Sequence, residues 1–226
     1  RGPCVPLPAL KHVFSECRWA GFVARRKLKN WLLRLARLIV RPRPVHNADG
    51  KVFLHLGCGD VASHEFINVD VRPAPHVHHV RDVRNLSAFS DDWADLAYAC
   101  HVLEHIPANS LKKTLWEWRR VLKPGGVLRL SVPDFDKIIR IYESSDCDIR
   151  SICAPLMGGQ DCACNTHLSV FNEKYLTEKL QEAGFRQVRR WSPEHVQNHD
   201  FHDWADSNLT VNGRDFPISL NLEAVK

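Results

Sequence analysis

Four side chains able to move a proton or hold a metal fall in two short stretches: His101, Glu104 and His105 in one, His167 in the other. Imidazole titrates near neutral pH and a carboxylate accepts protons, so the set suits general-base work on a hydroxyl or amine. Written as H-x-x-E-H, the first three also match the inverted zinc-hydrolase motif. That motif needs a continuous helix, whereas here it follows an apolar run and is cut by Pro107. A zinc hydrolase is therefore set aside. Cys162-x-Cys164-x-x-His167, with Cys153, is a second group with metal-ligand chemistry, but its spacing is not that of a usual zinc finger.

A different chemistry is written at 54–60. An apolar strand runs into Gly57-x-Gly59, where glycines let the backbone turn sharply and a ligand approach without a Cβ in the way. Gly57 to Ala62 fits the dinucleotide fingerprint G-x-G-x-x-G/A. A dinucleotide site, however, wants a helix after the loop and an acid about 20 residues on. Here only residues 60–65 separate the loop from the next strand, whose terminal acid is Asp70. Asp70 is placed to accept bonds from two ribose hydroxyls, so the ligand has a ribose but needs no helix N-terminus for a pyrophosphate.

Elements must hold these residues in place. The apolar pattern predicts strands over 51–56, 66–71, 77–80, 95–102 and 126–132, and closing strands over 185–191 and 217–225. Helices are predicted over 110–122, 134–143 and 172–183. Pro124-Gly125-Gly126 stops the first, and Gly184 ends the last as a C′ glycine. Trp116, with Leu115 and Val121, is read as core. Residues 144–170 are irregular, long enough for a substrate lid. His195, His199, Asp200, His202 and Asp203 read as a solvated loop, with the rim of an acceptor pocket as the alternative. Strands alternating with helices imply an α/β fold with a mostly parallel sheet.

With these motifs in order, the chain resembles the class I S-adenosylmethionine (SAM)-dependent methyltransferases of the type 11-like group. Leu56-Gly57-Cys58-Gly59-Asp60 resembles their motif I, Asn68-Val69-Asp70-Val71 the acidic strand-2 motif, and 80–86 the adenine-contact segment. Residues 95–106 resemble motif IV, and 120–128 the helix-turn-strand that follows. Residues 155–160, 165–167 and 218–226 are similar to a bacterial-type subgroup associated with saccharide or cell-surface biosynthesis. The resemblance implies a Rossmann-like fold, a mostly parallel seven-stranded sheet with helices on both faces, and SAM as cofactor. It implies a cofactor site of Leu56, Gly57, Cys58, Gly59, Asp60, Asp70, Val71, Asp82, Val83 and Cys100. Gly57 and Gly59 would make room for the methionine part, Asp70 would bind the ribose, Asp82 and Val83 would touch the adenine, and Cys100 would lie near the sulfonium.

The expected function is methyl transfer to a small polar acceptor, a hydroxyl of a saccharide-type molecule, with His101, Glu104, His105 and His167 as the catalytic set. Some O-methyltransferases carry E-x-x-E-H at this point and bind a divalent cation. His101 replaces the first Glu, which disfavours Mg²⁺ and shifts preference toward softer metals, with a distant His such as His167 able to complete the site. The preferred reading is metal-free, with a histidine base or with Glu104 and His105 only pinning the loop. Cys162 and Cys164 stand where the subgroup tends to have aromatics, and read as replacements in an acceptor-pocket loop.

Composition is that of an ordinary soluble domain, 44% hydrophobic and 25% charged. No apolar stretch reaches the roughly 18 residues of a membrane span. The first residue, Arg1, fits a processed or truncated start. Eight cysteines without a scaffold-like spacing suggest a reducing, cytoplasmic setting, with Cys58 and Cys100 buried. The net charge of +5 hides an asymmetry, because residues 1–44 hold eleven Lys or Arg and one acid. Two units follow: a basic amphipathic helical extension (1–44) and a methyltransferase domain (45–226). Leu28, Trp31, Leu32, Leu35, Leu38 and Ile39 share one helical face, expected to pack on the domain. A peripheral membrane contact through residues 9–41 and an organelle-targeting role are the alternatives. No nucleic-acid partner is expected, since the basic helix lacks interleaved stacking aromatics beyond Trp19 and Trp31. The alternative function is a non-catalytic module of the same fold that binds a membrane or acidic partner.

Overall fold

The computed structural model describes residues 28, 31–33, 35, 36, 39, 40, 42, 43, 45, 47 and 50–226 except 161. Much of the predicted basic helix, Leu38 included, lies outside the described residues. Strand β1 (Phe53–Leu56) is followed by β2 (Ile67–Asp70), β3 (His79–Val80) and β4 (Ala94–Cys100). Then come α1 (Leu111–Val121), β5 (Leu122–Pro133), α2 (Phe135–Ser144), α3 (Cys153–Met157) and α4 (Glu173–Glu182). The chain closes with β6 (Arg186–Arg190), β7 (Asn208–Val211), β8 (Arg214–Pro217) and β9 (Ser219–Val225).

Seven strands form one sheet in the order β3-β2-β1-β4-β5-β9-β6. All neighbours are parallel except β9, which runs antiparallel to both β5 and β6. The seven-stranded, mostly parallel sheet and its flanking helices match expectation. Strand β5 starts earlier than predicted, at Leu122 rather than after the Pro-Gly-Gly turn. Leu122 pairs with Ala94, and a register shift before Leu96 absorbs the extra residues. Sequence reading missed the β7–β8 hairpin, although Asn212-Gly213 between its strands is a strong two-residue turn signal.

One face of the sheet carries the main core. Leu54, Leu56, Leu128, Leu130 and Leu222 meet Leu115 and Trp118 of α1 and Leu176 and Leu180 of α4. On α1 the buried set is Leu111, Thr114, Leu115, Trp118 and Val121, the spacing of one helical face. That corrects the expectation for the tryptophans: Trp118 is fully buried, while Trp116 is 55% exposed.

The other face is covered differently. The β1–β2 connection is too short for a helix. Phe53, Phe66, Tyr98, Cys100 and Trp191 instead pack beneath the irregular segment 191–207, which contributes Val196, Phe201 and Ala205. This segment is not a solvated loop throughout. His199 stacks among Tyr98, Trp191 and Phe201, and Asp203 accepts a 2.6 Å hydrogen bond from the Tyr98 hydroxyl. Only its outer residues, such as His202, face water.

Candidate active site

Strand β1 lies between β2 and β4, so the loops leaving its neighbours diverge and open a crevice at their carboxyl ends. The glycine loop sits there. Gly57 and Gly59 have φ of +70° and +59°, in the left-handed region. A Cβ on Gly57 would collide with the Val102 side chain. The first glycine is thus required by the protein's own packing and not only by a ligand. The Gly57 and Cys58 amides both donate to the Val69 carbonyl, and the Gly59 amide donates to Asp70 Oδ2 at 2.9 Å. His76 Nε2 holds the Gly59 carbonyl at 3.0 Å. Leu56 and Cys58 are buried, Cys58 against Ala74, Val77 and Leu33. Burial and the nearby Asp70 push the Cys58 thiol well up, so it stays an unreactive space-filler. Asp60 is exposed at the loop's edge.

Asp70 ends β2 with a buried carboxylate. Its oxygens accept from the Gly59 amide and, at 2.7 Å, from the Arg72 amide. Arg72 Nε adds a third donor at 3.4 Å; a carboxylate has about four lone-pair sites, so acceptor capacity remains for a ribose hydroxyl. Val71, beside it, is half exposed. Further along, Asp82 is clamped by Arg84, whose hydrogen bonds hold the carboxyl below its usual range. The Val83 side chain is core and its carbonyl accepts from Trp118 Nε1. Its amide and the Asp82 carboxylate are what remain for an adenine. Cys100 turns its side chain into the second-face cluster, so only its backbone faces the crevice's end of β4.

The predicted catalytic residues come together just beyond β4. His101 takes a left-handed φ of +50° and stacks on Trp204, which is 57% exposed. Its Nε2 lies 2.8 Å from Ser219 Oγ. Ser219 already donates its only hydroxyl proton to the Trp204 carbonyl, so His101 Nε2 is the donor and Nδ1 carries a lone pair. Leu103 to His105 form a single 3-10 turn, not the helix an inverted zinc-hydrolase motif requires. The amides of Leu168 and Ser169 both donate to the Glu104 carbonyl, which ties this turn to the distant loop. His105 Nδ1 donates to the Thr166 carbonyl at 3.1 Å, leaving a lone pair on Nε2. The His167 amide donates to the Met157 carbonyl at 3.0 Å, which fixes its backbone beside α3.

These rings surround one carboxyl. Glu104 is 1% exposed, and neither of its oxygens has a hydrogen-bond partner. Its Oε1 lies 3.4 Å from His101 Nδ1, 4.0 Å from His105 Nε2 and 3.9 Å from His167 Nε2. Burial holds Glu104 up at about 8. Burial, with the neighbouring imidazoles, pushes His101 down to about 3 and His167 to about 4. His105 is also lowered by burial, less completely because it is part-exposed. The cluster is therefore built from neutral imidazoles.

Cys162 and Cys164 are joined by a disulfide. This corrects the expectation of wholly reduced cysteines and removes both thiols from any site with His167, which turns to Glu104 instead. Sequence reading also missed Trp204 and Ser219, which reach His101 from the far end of the chain and carry no local motif.

A family model described as a methyltransferase domain matches residues 24–189. The chain belongs to this family. It is a SAM-dependent methyltransferase, with SAM as its methyl donor, and the non-catalytic alternative is set aside. In fold it is similar to a SAM-dependent methyltransferase from Archaeoglobus fulgidus, at 16% identity and a TM-score of 0.51, covering 89% of this chain and 94% of that one. It is also similar to 1,6-didemethyltoxoflavin-N1-methyltransferase of Burkholderia thailandensis, with bound 1,6-didemethyltoxoflavin and S-adenosylhomocysteine (SAH). That match has 17% identity and a TM-score of 0.51, covering 98% of this chain and 93% of that one. No curated protein sequence matches the chain. The crevice fits the cofactor: two left-handed glycines leave the loop backbone bare, and Asp70 keeps acceptor capacity where a ribose would lie.

Proposed function

We propose that this enzyme methylates a hydroxyl of a small polar acceptor of saccharide type. Gly57, Gly59 and Asp70 hold the cofactor, and His101, Glu104, His105 and His167 form the catalytic set. The observation that carries this reading is the ring of neutral imidazoles about buried Glu104, set beside the cofactor loop. When bound, SAM supplies a methyl group on a good leaving group, so the protein's work is alignment and removal of one proton. The acceptor oxygen bonds to the methyl carbon as the carbon–sulfur bond breaks, and the hydroxyl proton leaves at the cluster. His105 Nε2 is its most accessible lone pair. Exposed Trp204, stacked on His101, offers a flat apolar surface for a sugar ring, in place of the aromatics missing at 162 and 164.

A screen of saccharide-type and other hydroxyl acceptors with methyl-labelled SAM tests this. Label is expected in a methyl ether, with His105→Ala slowing turnover by about 100-fold while SAH still binds. Label found only on amines, or unchanged turnover in His105→Ala, would overturn it.

A second observation favours a peripheral membrane contact through residues 9–41. Leu28, Trp31, Leu32, Leu35 and Ile39 are exposed, whereas Leu33 packs against the cluster of Cys58, Ala74 and Val77. An outward apolar face on a strongly basic segment suits an anionic lipid surface. The extension (1–44) then acts as the anchor of the domain (45–226). Co-flotation with phosphatidylserine vesicles, lost in Trp31→Asp/Leu35→Asp, is the expected result; equal flotation of the double variant would rule it out.

A further inference from the structure

We infer that Glu104, His105 and His167 are the protein ligands of a divalent transition-metal ion, of the class of Zn²⁺ or Co²⁺. Donor atoms of the three residues all lie within 4.8 Å of one another. The argument is one of donors and acceptors. A buried polar atom without a partner is costly, and both Glu104 oxygens are in that state. What faces them makes matters worse. The hydrogen bonds at Ser219 and Thr166 fix the protons of His101 and His105 on the far ring nitrogens. Their near nitrogens turn lone pairs toward Glu104. With Glu104 ionised, its two unpartnered oxygens face the lone pairs of His101 and His105, and a cation held between carboxylate and imidazole satisfies both.

The outer arrangement is that of a ligand set held in position. His105 gives its other ring nitrogen to a backbone carbonyl, as metal-bound histidines do. The His167 backbone is held by its hydrogen bond to the Met157 carbonyl. Two imidazoles and one carboxylate favour Zn²⁺, Co²⁺ or a similar ion over Mg²⁺ or Ca²⁺, which take oxygen ligands. Ligand separations of 3.9 and 4.0 Å exceed the roughly 3.4 Å edge of a tetrahedral site with bonds of about 2.1 Å. The rings therefore close slightly on the ion. Three protein ligands leave a coordination position open, and His105 lies part-exposed beside it. There the ion would hold and acidify the acceptor hydroxyl, whose proton would pass to solvent; His105 would be a ligand in the metal-bound enzyme, and the proton transfer to His105 Nε2 described above would belong to the metal-free enzyme. That role rests on the methyl-transfer reading above; the binding of the ion does not.

The test uses the full chain, stripped with chelator, and needs no acceptor. Titration with ZnCl₂ followed by metal analysis is expected to give about one Zn²⁺ per chain. His167→Ala and Glu104→Gln should each weaken binding at least 100-fold while leaving SAH affinity within about twofold. Co²⁺ added to the wild-type protein should give visible d–d bands without a thiolate charge-transfer band, a readout that requires no variant. Three results would overturn the proposal: no stoichiometric binding, variants that bind as tightly as wild type, or a cobalt spectrum showing thiolate ligation. Each can be told from failure of the methyltransferase reading, in which SAH would not bind whatever the metal does.

Discussion

A Cβ placed on Gly158 would lie 2.9 Å from Cδ2 of His167 and closer still to the Asn165 carbonyl, so this glycine leaves the space that lets His167 reach Glu104. Gly158 also has a φ of +76°, a conformation that costs other residues of order 1–3 kcal/mol. In Gly158→Ala the imidazole must move. The expected result is a loss of stability of about 1–2 kcal/mol in chemical denaturation, turnover down at least tenfold, and SAH affinity unchanged. Wild-type turnover would show that the position of His167 is immaterial.

Asp70 supports the loop and, in the proposed cofactor site, the ribose. Removing its carboxylate leaves the Gly59 and Arg72 amides without their acceptor. Each charge-assisted hydrogen bond lost is worth about 1.5–3 kcal/mol, and a tenfold change in affinity is about 1.4 kcal/mol. Calorimetry of Asp70→Ala with SAH should therefore show binding weakened by about 10- to 100-fold. An affinity equal to wild type would remove Asp70 from the cofactor site.

Stability should fall on mild acidification, with His55 as one cause. This residue sits on β1 among Phe66, Tyr98 and Phe201, and burial pushes its pKa down from 6.5 to about 3. A histidine lowered in the folded state takes up its proton more readily when unfolded. Its neutral form is accommodated in full above the unfolded value, and stability is lost as pH drops from about 6.5 toward 3. Melting temperature followed from pH 7 to about pH 5 should decline more steeply in the wild type than in His55→Phe. Parallel curves would exclude His55 as the sensor.

On the same face Glu223 is buried and accepts from Arg129 Nε at 2.8 Å and from Arg189 at 3.1 Å. Arg129 also caps the Gln197 carbonyl of the covering segment and lies over the Trp191 ring. Glu223→Ala leaves a guanidinium buried without its counter-charge, which typically costs about 3–5 kcal/mol. Urea denaturation should register a loss of that size, and Arg129→Met/Glu223→Leu should recover most of it. A single-variant loss under about 1 kcal/mol would mean that water replaces the carboxylate.

The sequence by itself determined the sheet, the three longer helices and the cofactor loop. Those features are local. Apolar alternation sets strands, an i, i+3, i+4 stripe sets α1, and Gly57, Gly59 and Asp70 lie within fourteen residues of one another. The order of motifs then fixed the family and the methyl donor. Only the tertiary structure decided which tryptophan of α1 is buried, and that segment 191–207, read as a solvated loop, covers the second face of the sheet. It also left Leu28, Trp31, Leu32, Leu35 and Ile39 of the extension exposed. These outcomes depend on which surfaces meet, and periodicity names a face without naming its partner. The cluster about Glu104 shows both contributions. His101, Glu104 and His105 were legible because they adjoin a strand end, and His167 was placed with them only as a candidate. Hydrogen bonds from Ser219 and Thr166, which no spacing encodes, set the protons on the far side of the rings. That orientation turns the near nitrogens of His101 and His105 toward Glu104.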